Sequence, residues 1–376
     1  MHKKLFVITD TKGQKRGSDW FIFNAVANEI HFINELFDSI TIILTDYSND
    51  ETDLSLNLID NKIKVIALPK IGGKSLVSKI KTIMILPLFS LQLIRNIFLN
   101  DTVHLRGPNT VTLISIFILP FFQFKNVWFK YATNWNNPKS SRSYKFQKWV
   151  LLKVLTKTKV TINGFWVNLP KHIMPFENPC LTELQVLNGA QIIESKQYDA
   201  PYEIVFVGRI DSAKGVDILI DFVIKLNSSY IRFFHVVGEG VLKSEFKKVL
   251  NAQGISNKFY GNLSQFELFD ILKKSHCILL PSKSEGFPKV LAEAMNYGCI
   301  PIASNVGSVT HYIQDGMSGI ILGDISERGL NQAWRNFLNL NSNAKFGMAQ
   351  NGFEVSQNFT FEKYINNLKL KIFNVF

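Results

Sequence analysis

Residues 203–217 read Glu203-Ile204-Val205-Phe206-Val207-Gly208-Arg209-Ile210-Asp211-Ser212-Ala213-Lys214-Gly215-Val216-Asp217. A strand-like run, Glu203 to Val207, delivers a glycine; two cations five residues apart follow in a loop, and a helix opens near Val216. This is the first βα step of an open, doubly wound sheet, in which ligands bind outside the carboxyl ends of the strands. The step falls past the middle of a chain of 376 residues, longer than one hydrophobic core usually supports. It therefore reads as the start of a second domain. Further strands fit 232–237, 258–260, 277–280, 300–303 and 319–322. Helices fit 241–252, 265–273, 288–297 and 327–340. A final helix over 361–373 presents Phe361, Tyr364, Ile365, Leu368 and Ile372 at helical spacing.

Upstream the same alternation holds. Strands are expected at 4–9, 40–45, 63–68, 102–105, 127–131, 159–162 and 184–187, and helices at 18–35, 74–99, 109–120 and 143–156. The fold class is thus α/β, with two Rossmann-like, doubly wound parallel-sheet domains. The turn signal Asn188-Gly189 and the polar run to Tyr202 mark 188–200 as the linker between a domain over 1–187 and another over 201–360. Residues 361–376 are expected to return to the first domain.

Composition narrows the class. Hydrophobic residues make up 46% and charged residues 19%, which suits a globular chain. Cys180, Cys277 and Cys299 lack pairing or metal-ligand spacing, and this favours a reducing compartment. Met1-His2-Lys3-Lys4 leads into a short apolar run broken at Asp10, so no secretory signal is read, and no apolar run is expected to reach membrane-spanning length. The net charge of +12 is lopsided. Residues 1–187 hold 23 Lys+Arg against 13 Asp+Glu, residues 188–376 hold 19 against 17, and Asp101 is the only acid between Asn61 and Phe176. A basic half of this kind suits an anionic partner.

The second chemical feature is Ser284-Glu285-Gly286-Phe287-Pro288-Lys289-Val290-Leu291-Ala292-Glu293. Pro288 is pre-set for a helix start and Gly298 for a stop. Glu285 then lies in the loop before a helix and Glu293 in its second turn. The N–H groups of Lys289, Val290 and Leu291 would form an anion site at the helix's positive end. Carboxylates hold hydroxyls and amides hold phosphate, a set that suits a sugar nucleotide. The plain alternative is an exposed Glu and a capping Glu on a surface helix. For Arg209 and Lys214 it is two solvated cations, although Arg can grip a phosphate with two donors. A third strand-end glycine turn stands at His235-Val236-Val237-Gly238-Glu239-Gly240. No Gly-x-Gly-x-x-Gly fingerprint, Asp-x-Asp pair or metal-spaced cluster appears, so neither a nicotinamide cofactor nor a metal is expected.

Together these residues, with the Leu187-Asn188-Gly189 turn and Gln314-Asp315-Gly316-Met317-Ser318-Gly319, resemble glycosyltransferase family 4 over roughly 184–322. The resemblance implies a GT-B fold with its two domains facing a central cleft. It implies a retaining, nucleotide-sugar-dependent transferase without cofactor or metal, with a nucleotide-sugar donor and a glycan or lipid-linked acceptor, working in bacterial surface polysaccharide or lipopolysaccharide assembly. On this likeness Arg209 and Lys214 would hold the donor diphosphate, and Glu293 the ribose hydroxyls. Glu285 would contact the donor sugar, with the backbone of Gly286-Phe287-Pro288 offering N–H groups. Gly208 and Gly238 would shape the strand-end loops, and Gly261-Asn262-Leu263 would meet the base. In the first domain Gly17, in Lys15-Arg16-Gly17-Ser18-Asp19, and Asn134, in Lys130-Tyr131-Ala132-Thr133-Asn134-Trp135, stand where the family approaches the donor. The first loop lacks the family's paired glycines, Asn134 replaces its usual His or Asp, and Gly307-Ser308-Val309-Thr310-His311 replaces its Gly-Gly-x-Pro-Glu-like segment. Sugar identity stays open. The alternatives are a sugar-nucleotide epimerase of the same fold and a silent homologue partnering an active transferase.

The basic half carries a further expectation. Lys70, Lys74, Lys79 and Lys81 precede the uncharged run Thr82 to Ile94, and a second run spans Gly107 to Gln123. These are either buried crossover helices or a surface that meets an anionic membrane from the cytoplasmic side. Trp128, Trp135, Trp149 and Trp166 lie among lysines, but no nucleic-acid-binding module is present, and no nucleic-acid partner is expected.

Overall fold

The structure is a computed structural model describing residues 3–49, 56–70, 75–122 and 125–373. Lys74 lies outside the described residues, as do Gln123 and the side chains of Lys79 and Lys81. The chain forms two compact units, one of the residues up to Phe176 together with Ile365 onward, the other Glu177–Tyr364.

In the first unit parallel strands run in the order Lys64–Leu68, Ser39–Asp46, Lys4–Arg16, Thr102–Gly107, Asn126–Tyr131, Lys159–Ile162, Ile173–Pro175. Phe6, Leu93, Leu105 and Phe129 lie in its core. The expected helix over 18–35 is corrected to Asn24–Asn34, because the first strand runs on to Arg16 and returns as the antiparallel strand Asp19–Phe23. Trp20, Phe21, Ile22 and Phe23 favour a strand, and Gly17, at φ +63°, supplies the left-handed turn between Arg16 and Asp19.

The second unit holds a purely parallel sheet in the order Asn257–Gly261, Ile231–Val237, Tyr202–Val207, Cys277–Leu280, Ile300–Ser304, Ile320–Leu322. The strand order reverses between Tyr202–Val207 and Cys277–Leu280. This is the switch point at which such sheets bind ligands. Phe206, Phe222, Ile278 and Leu291 belong to its core.

The expected strand at 184–187 and linker at 188–200 are overturned. Residues Glu183–Ser195 form a helix of the second unit. Thr182 and Gln185 close a reciprocal cap, with Gln185 N–H donating to Thr182 Oγ1 at 3.2 Å and Thr182 N–H donating to Gln185 Oε1 at 2.8 Å. Gly189 is a packing residue: a Cβ there would lie 2.2 Å from the Asn296 carbonyl oxygen. The chain changes unit near Phe176–Glu177 and again at Tyr364–Ile365. Its last helix runs Phe361–Asn367 and widens over Leu368–Phe373, where Phe373 meets Phe37 and Trp128 edge-on.

A helix at Ser342–Ser356 was not expected. Gly347 and Gly352 lower its helix propensity, yet Gly352 lets the helix approach Met295, 3.3 Å from where a Cβ would stand. One further correction concerns Thr82–Leu99, whose 18 residues are long and apolar enough, by length and composition, to cross a bilayer.

Candidate functional site

The strand Tyr202–Val207 ends on Gly208, whose N–H donates to the Val237 carbonyl at 2.9 Å. The Ile231–Val237 strand ends on Gly238, at φ +129°, where a Cβ would sit 2.0 Å from the Gly208 carbonyl oxygen. Only glycine allows these two strand ends to lie backbone against backbone. From Gly208 the chain turns through Arg209 to a short helical turn capped by Asp211, whose Oδ1 accepts the Lys214 N–H at 3.0 Å. Gly215, at φ +76°, then packs on Pro281, whose carbonyl oxygen is 2.0 Å from a Cβ position.

That contact joins the loop after the first strand to the loop after Cys277–Leu280. Lys283 N–H donates to the Ala213 carbonyl at 2.9 Å, and Lys283 Nζ reaches Ser212 Oγ at 2.7 Å and Asp217 Oδ2 at 2.5 Å. Across the same seam Lys214 Nζ forms an ion pair with Glu285 Oε1, with both side chains largely buried. Arg209 is different. Its side chain is 72% exposed and approaches Asp211 Oδ2 at 3.3 Å.

Glu285 is fixed through its backbone neighbours. The Gly286 carbonyl accepts from Ser308 N–H at 2.8 Å and from Ser308 Oγ at 3.1 Å. Phe287 stacks on Phe359 at 4.7 Å and meets Tyr312 at 4.9 Å. Pro288 is the cap rather than the first helical residue, and the helix is Lys289–Asn296. Two expectations about its N–H groups are corrected. Pro288 has none to offer, and Leu291 N–H is taken by the Pro288 carbonyl at 3.0 Å. The N–H groups of Gly286, Phe287, Lys289 and Val290 have no protein acceptor among the described residues, and they stand at the helix's positive end.

Glu293 does not sit on a surface helix. Residues Leu291 to Asn296 are all buried, beneath Glu183–Ser195, Gln265–Lys274 and Ser342–Ser356. Gln265 Nε2 donates to Glu293 Oε1 at 3.0 Å and to the Cys180 carbonyl at 2.8 Å. Burial pushes the Glu293 carboxyl above its ordinary value of 4.5, opposed by the Gln265 hydrogen bond and the Lys289 charge. A carboxyl with a pKa higher in the folded than the unfolded state stabilises the fold while protonated. That contribution is present below 4.5 and is lost as pH rises through the raised value. Glu293→Gln is therefore expected to raise the Tm at neutral pH and to lose this advantage below pH 4.5, which thermal unfolding across pH would check.

Asn262 and Leu263 follow the strand Asn257–Gly261, with Asn262 exposed and Leu263 packed against the core. Gly17 and Asn134 belong to the first unit. Gly17 is a hairpin tip, and Asn134 Oδ1 accepts the Asn136 N–H at 3.0 Å in a local turn after Asn126–Tyr131. Reading the sequence missed two features. One is the Lys283–Ser212–Asp217 clasp, to which ordinary surface charges give no signal. The other is a buried triad in which Glu29 accepts from Arg106 Nη1 at 2.5 Å and Lys130 Nζ at 2.7 Å. Arg106 and Lys130 stand opposite each other on adjacent strands, a register that no local signal in the sequence marks.

Residues 190–354 match the family model for glycosyl transferases group 1. An uncharacterized glycosyltransferase of Methanocaldococcus jannaschii is 28% identical over 166 residues, 44% of this chain and 46% of that protein. An uncharacterized 41.2 kDa protein in the cps region of Klebsiella pneumoniae is 34% identical over 119 residues, 32% of each chain. The matches span less than half the length of these relatives. Among solved structures, Anabaena HepE in complex with UDP and glucose gives a TM-score of 0.65 at 13% identity, covering 100% of both chains. WaaG, a glycosyltransferase involved in lipopolysaccharide biosynthesis, gives 0.66 at 14% identity, covering 97% of this chain and 99% of that one. At such identities the likeness shows the fold, which is GT-B.

Proposed function

We propose that this chain, matched over 190–354 by glycosyl transferases group 1, is a retaining, metal-independent glycosyltransferase. Its donor is a nucleoside-diphosphate sugar, and its acceptor is a hydroxyl of a glycan or lipid-linked glycan in surface polysaccharide or lipopolysaccharide assembly. The observation that carries the reading is the Lys214–Glu285 ion pair, built across two strand-end loops at the switch point. It places one cation and one carboxylate beside the open N–H groups at the start of Lys289–Asn296. The cation suits a diphosphate, the carboxylate suits sugar hydroxyls, and the amides suit either.

In this reaction the bond from the sugar's anomeric carbon to the diphosphate oxygen breaks, and the acceptor oxygen bonds to that carbon on the same face. The acceptor proton passes to the departing diphosphate. Negative charge grows on that leaving group, so Lys214, Arg209 and the amides stabilise the transition state more than the ground state. Glu293 is the residue assigned to the ribose hydroxyls. The cps-region relative and the lipopolysaccharide transferase of like fold support the pathway class.

Thermal-shift titration with UDP, GDP, ADP and CMP tests the donor assignment. One diphosphate is expected to stabilise the protein by about 2.7 kcal/mol at a hundred times its Kd. Stabilisation by none of the four would remove the reading's foundation. Where transfer is obtained, the product's anomeric proton coupling in NMR reports whether configuration is kept.

A further inference from the structure

The helix Leu76–Leu99 has an unusual division of faces. Phe89, Leu93 and Ile97 pack into the core of the first unit. Met84, Leu88, Leu91 and Phe98, at steps that keep one helix face, are each more than half exposed. Only 22% of Thr82–Leu99 is buried, and Arg95 is its single charge. A helix apolar all round is ordinarily enclosed by protein or lipid. This one is enclosed on one side only, by the core of the first unit, which leaves its other face for contact in the plane of a bilayer rather than across it.

The exposed face continues onto two neighbours. After the helix Thr110–Ile118 the turn Leu119–Phe122 brings Phe122 edge-on to Phe98 at 5.1 Å and exposes Phe121. Phe117 stacks on Phe146 of the helix Arg142–Lys153 at 5.7 Å, and Phe146 in turn on Trp149 at 6.0 Å. Trp149 is half exposed, whereas Trp128 and Trp135 are buried in the core and cannot serve as stacking platforms. Arg142, Lys145 and Lys153 are exposed on the helix that carries Phe146 and Trp149. The one acid between residues 61 and 176, Asp101, accepts the Lys4 N–H at 2.9 Å before the strand Thr102–Gly107.

From the shared face of these three helices we infer that the first unit docks in the plane of an anionic phospholipid bilayer, inserting Met84, Leu88, Leu91, Phe98, Phe121 and Trp149 among the headgroups. Apolar side chains with aromatic residues at their margin and cations around them are what an interfacial helix presents to lipid. The chemistry favours lipid over the other occupants. A second copy would set the same cations against one another, and a protein partner would have to supply the acids this face lacks. The inference stands independently of the donor-site reading, because no residue of the second unit enters it.

Flotation of the whole chain with phosphatidylcholine vesicles and with vesicles containing phosphatidylglycerol tests it, at low and moderate salt. Binding is expected to the anionic vesicles and to weaken with salt. Leu88→Glu/Leu91→Glu should reduce it at least about tenfold, since it removes two inserted side chains and adds two like charges. Arg142→Glu/Lys145→Glu should abolish the preference for anionic lipid. Both pairs are exposed, so an unchanged circular dichroism melt is expected and confirms folding. Failure of the wild-type chain to float with either vesicle overturns the inference. So does undiminished binding by Leu88→Glu/Leu91→Glu. A dimer in light scattering that this variant dissociates, without vesicle binding, assigns the face to a second copy.

Discussion

Lys214→Ala and Glu285→Ala are each expected to lower sugar transfer by about two to three orders of magnitude, the usual cost of removing one preorganised electrostatic partner from a developing charge. Lys214 is held on one loop by the Asp211 cap and on the other by the Glu285 ion pair. Its ammonium is therefore in place before the leaving group develops charge. Alanine at 214 removes that charge and leaves a largely buried carboxylate without its cation. Alanine at 285 frees the lysine and removes the group assigned to the sugar hydroxyls. Because the two side chains share one contact, the double variant should cost little more than either single one. Glu285→Gln keeps the shape and loses the charge, so it should fall between wild type and alanine. Arg209→Ala should cost less than Lys214→Ala, since Arg209 is 72% exposed and approaches Asp211 only at 3.3 Å. Initial rates with each variant, beside its melting curve, read the effect. Near-wild-type transfer by both alanine variants would refute the site.

The second unit was largely legible because most of its strands end on glycine or a proline turn and four of its helices, Glu183–Ser195, Gln265–Lys274, Glu327–Asn339 and Ser342–Ser356, begin at side-chain caps, signals confined to a few neighbouring residues. Cys277–Leu280 matched its expected bounds, and Gln265–Lys274 carries the Ser264–Glu267 capping box. What escaped depends on residues far apart. Gly189 looks like a turn until Asn296 is seen against it. The helix Ser342–Ser356 gains its stability from packing on Lys289–Asn296 rather than from its own propensity. The residues of the site were nameable from their motifs, but not the pairing of Lys214 with Glu285. Nor was the burial of Glu293, which three other helices impose. Around Gly17 the sequence signals only a loop between strand and helix, because a hairpin requires knowing that Asp19–Phe23 finds Lys4–Arg16.

Gly307→Ala is expected to be nearly as damaging to transfer as loss of Glu285, although Gly307 carries no functional group. Its φ is +60°, and a Cβ would stand 2.1 Å from the Gly286 carbonyl oxygen and 2.2 Å from that of Glu285. The left-handed backbone alone costs alanine about 1–2 kcal/mol. The clash adds to this, because the opposing atoms are backbone, and that backbone is anchored. Ser308 ties the Gly286 carbonyl, and Phe287 is lodged against Phe359 and Tyr312. Either the turn at Gly307 moves away and breaks the Ser308 hydrogen bonds, or the Glu285–Gly286 segment moves and draws Glu285 off Lys214. A displacement of about 1 Å at a positioned group costs about a hundredfold in rate, so transfer should fall by that order while the fold persists with a lowered Tm. Gly254→Ala is the matched control. Gly254 has φ +66° and nothing within 4 Å of a Cβ, so it carries the backbone strain without the clash. Its Tm should fall by the strain alone, and its transfer rate should stay at the wild-type level. Equal rates in the two variants would show that Gly307 does not hold Glu285 in place.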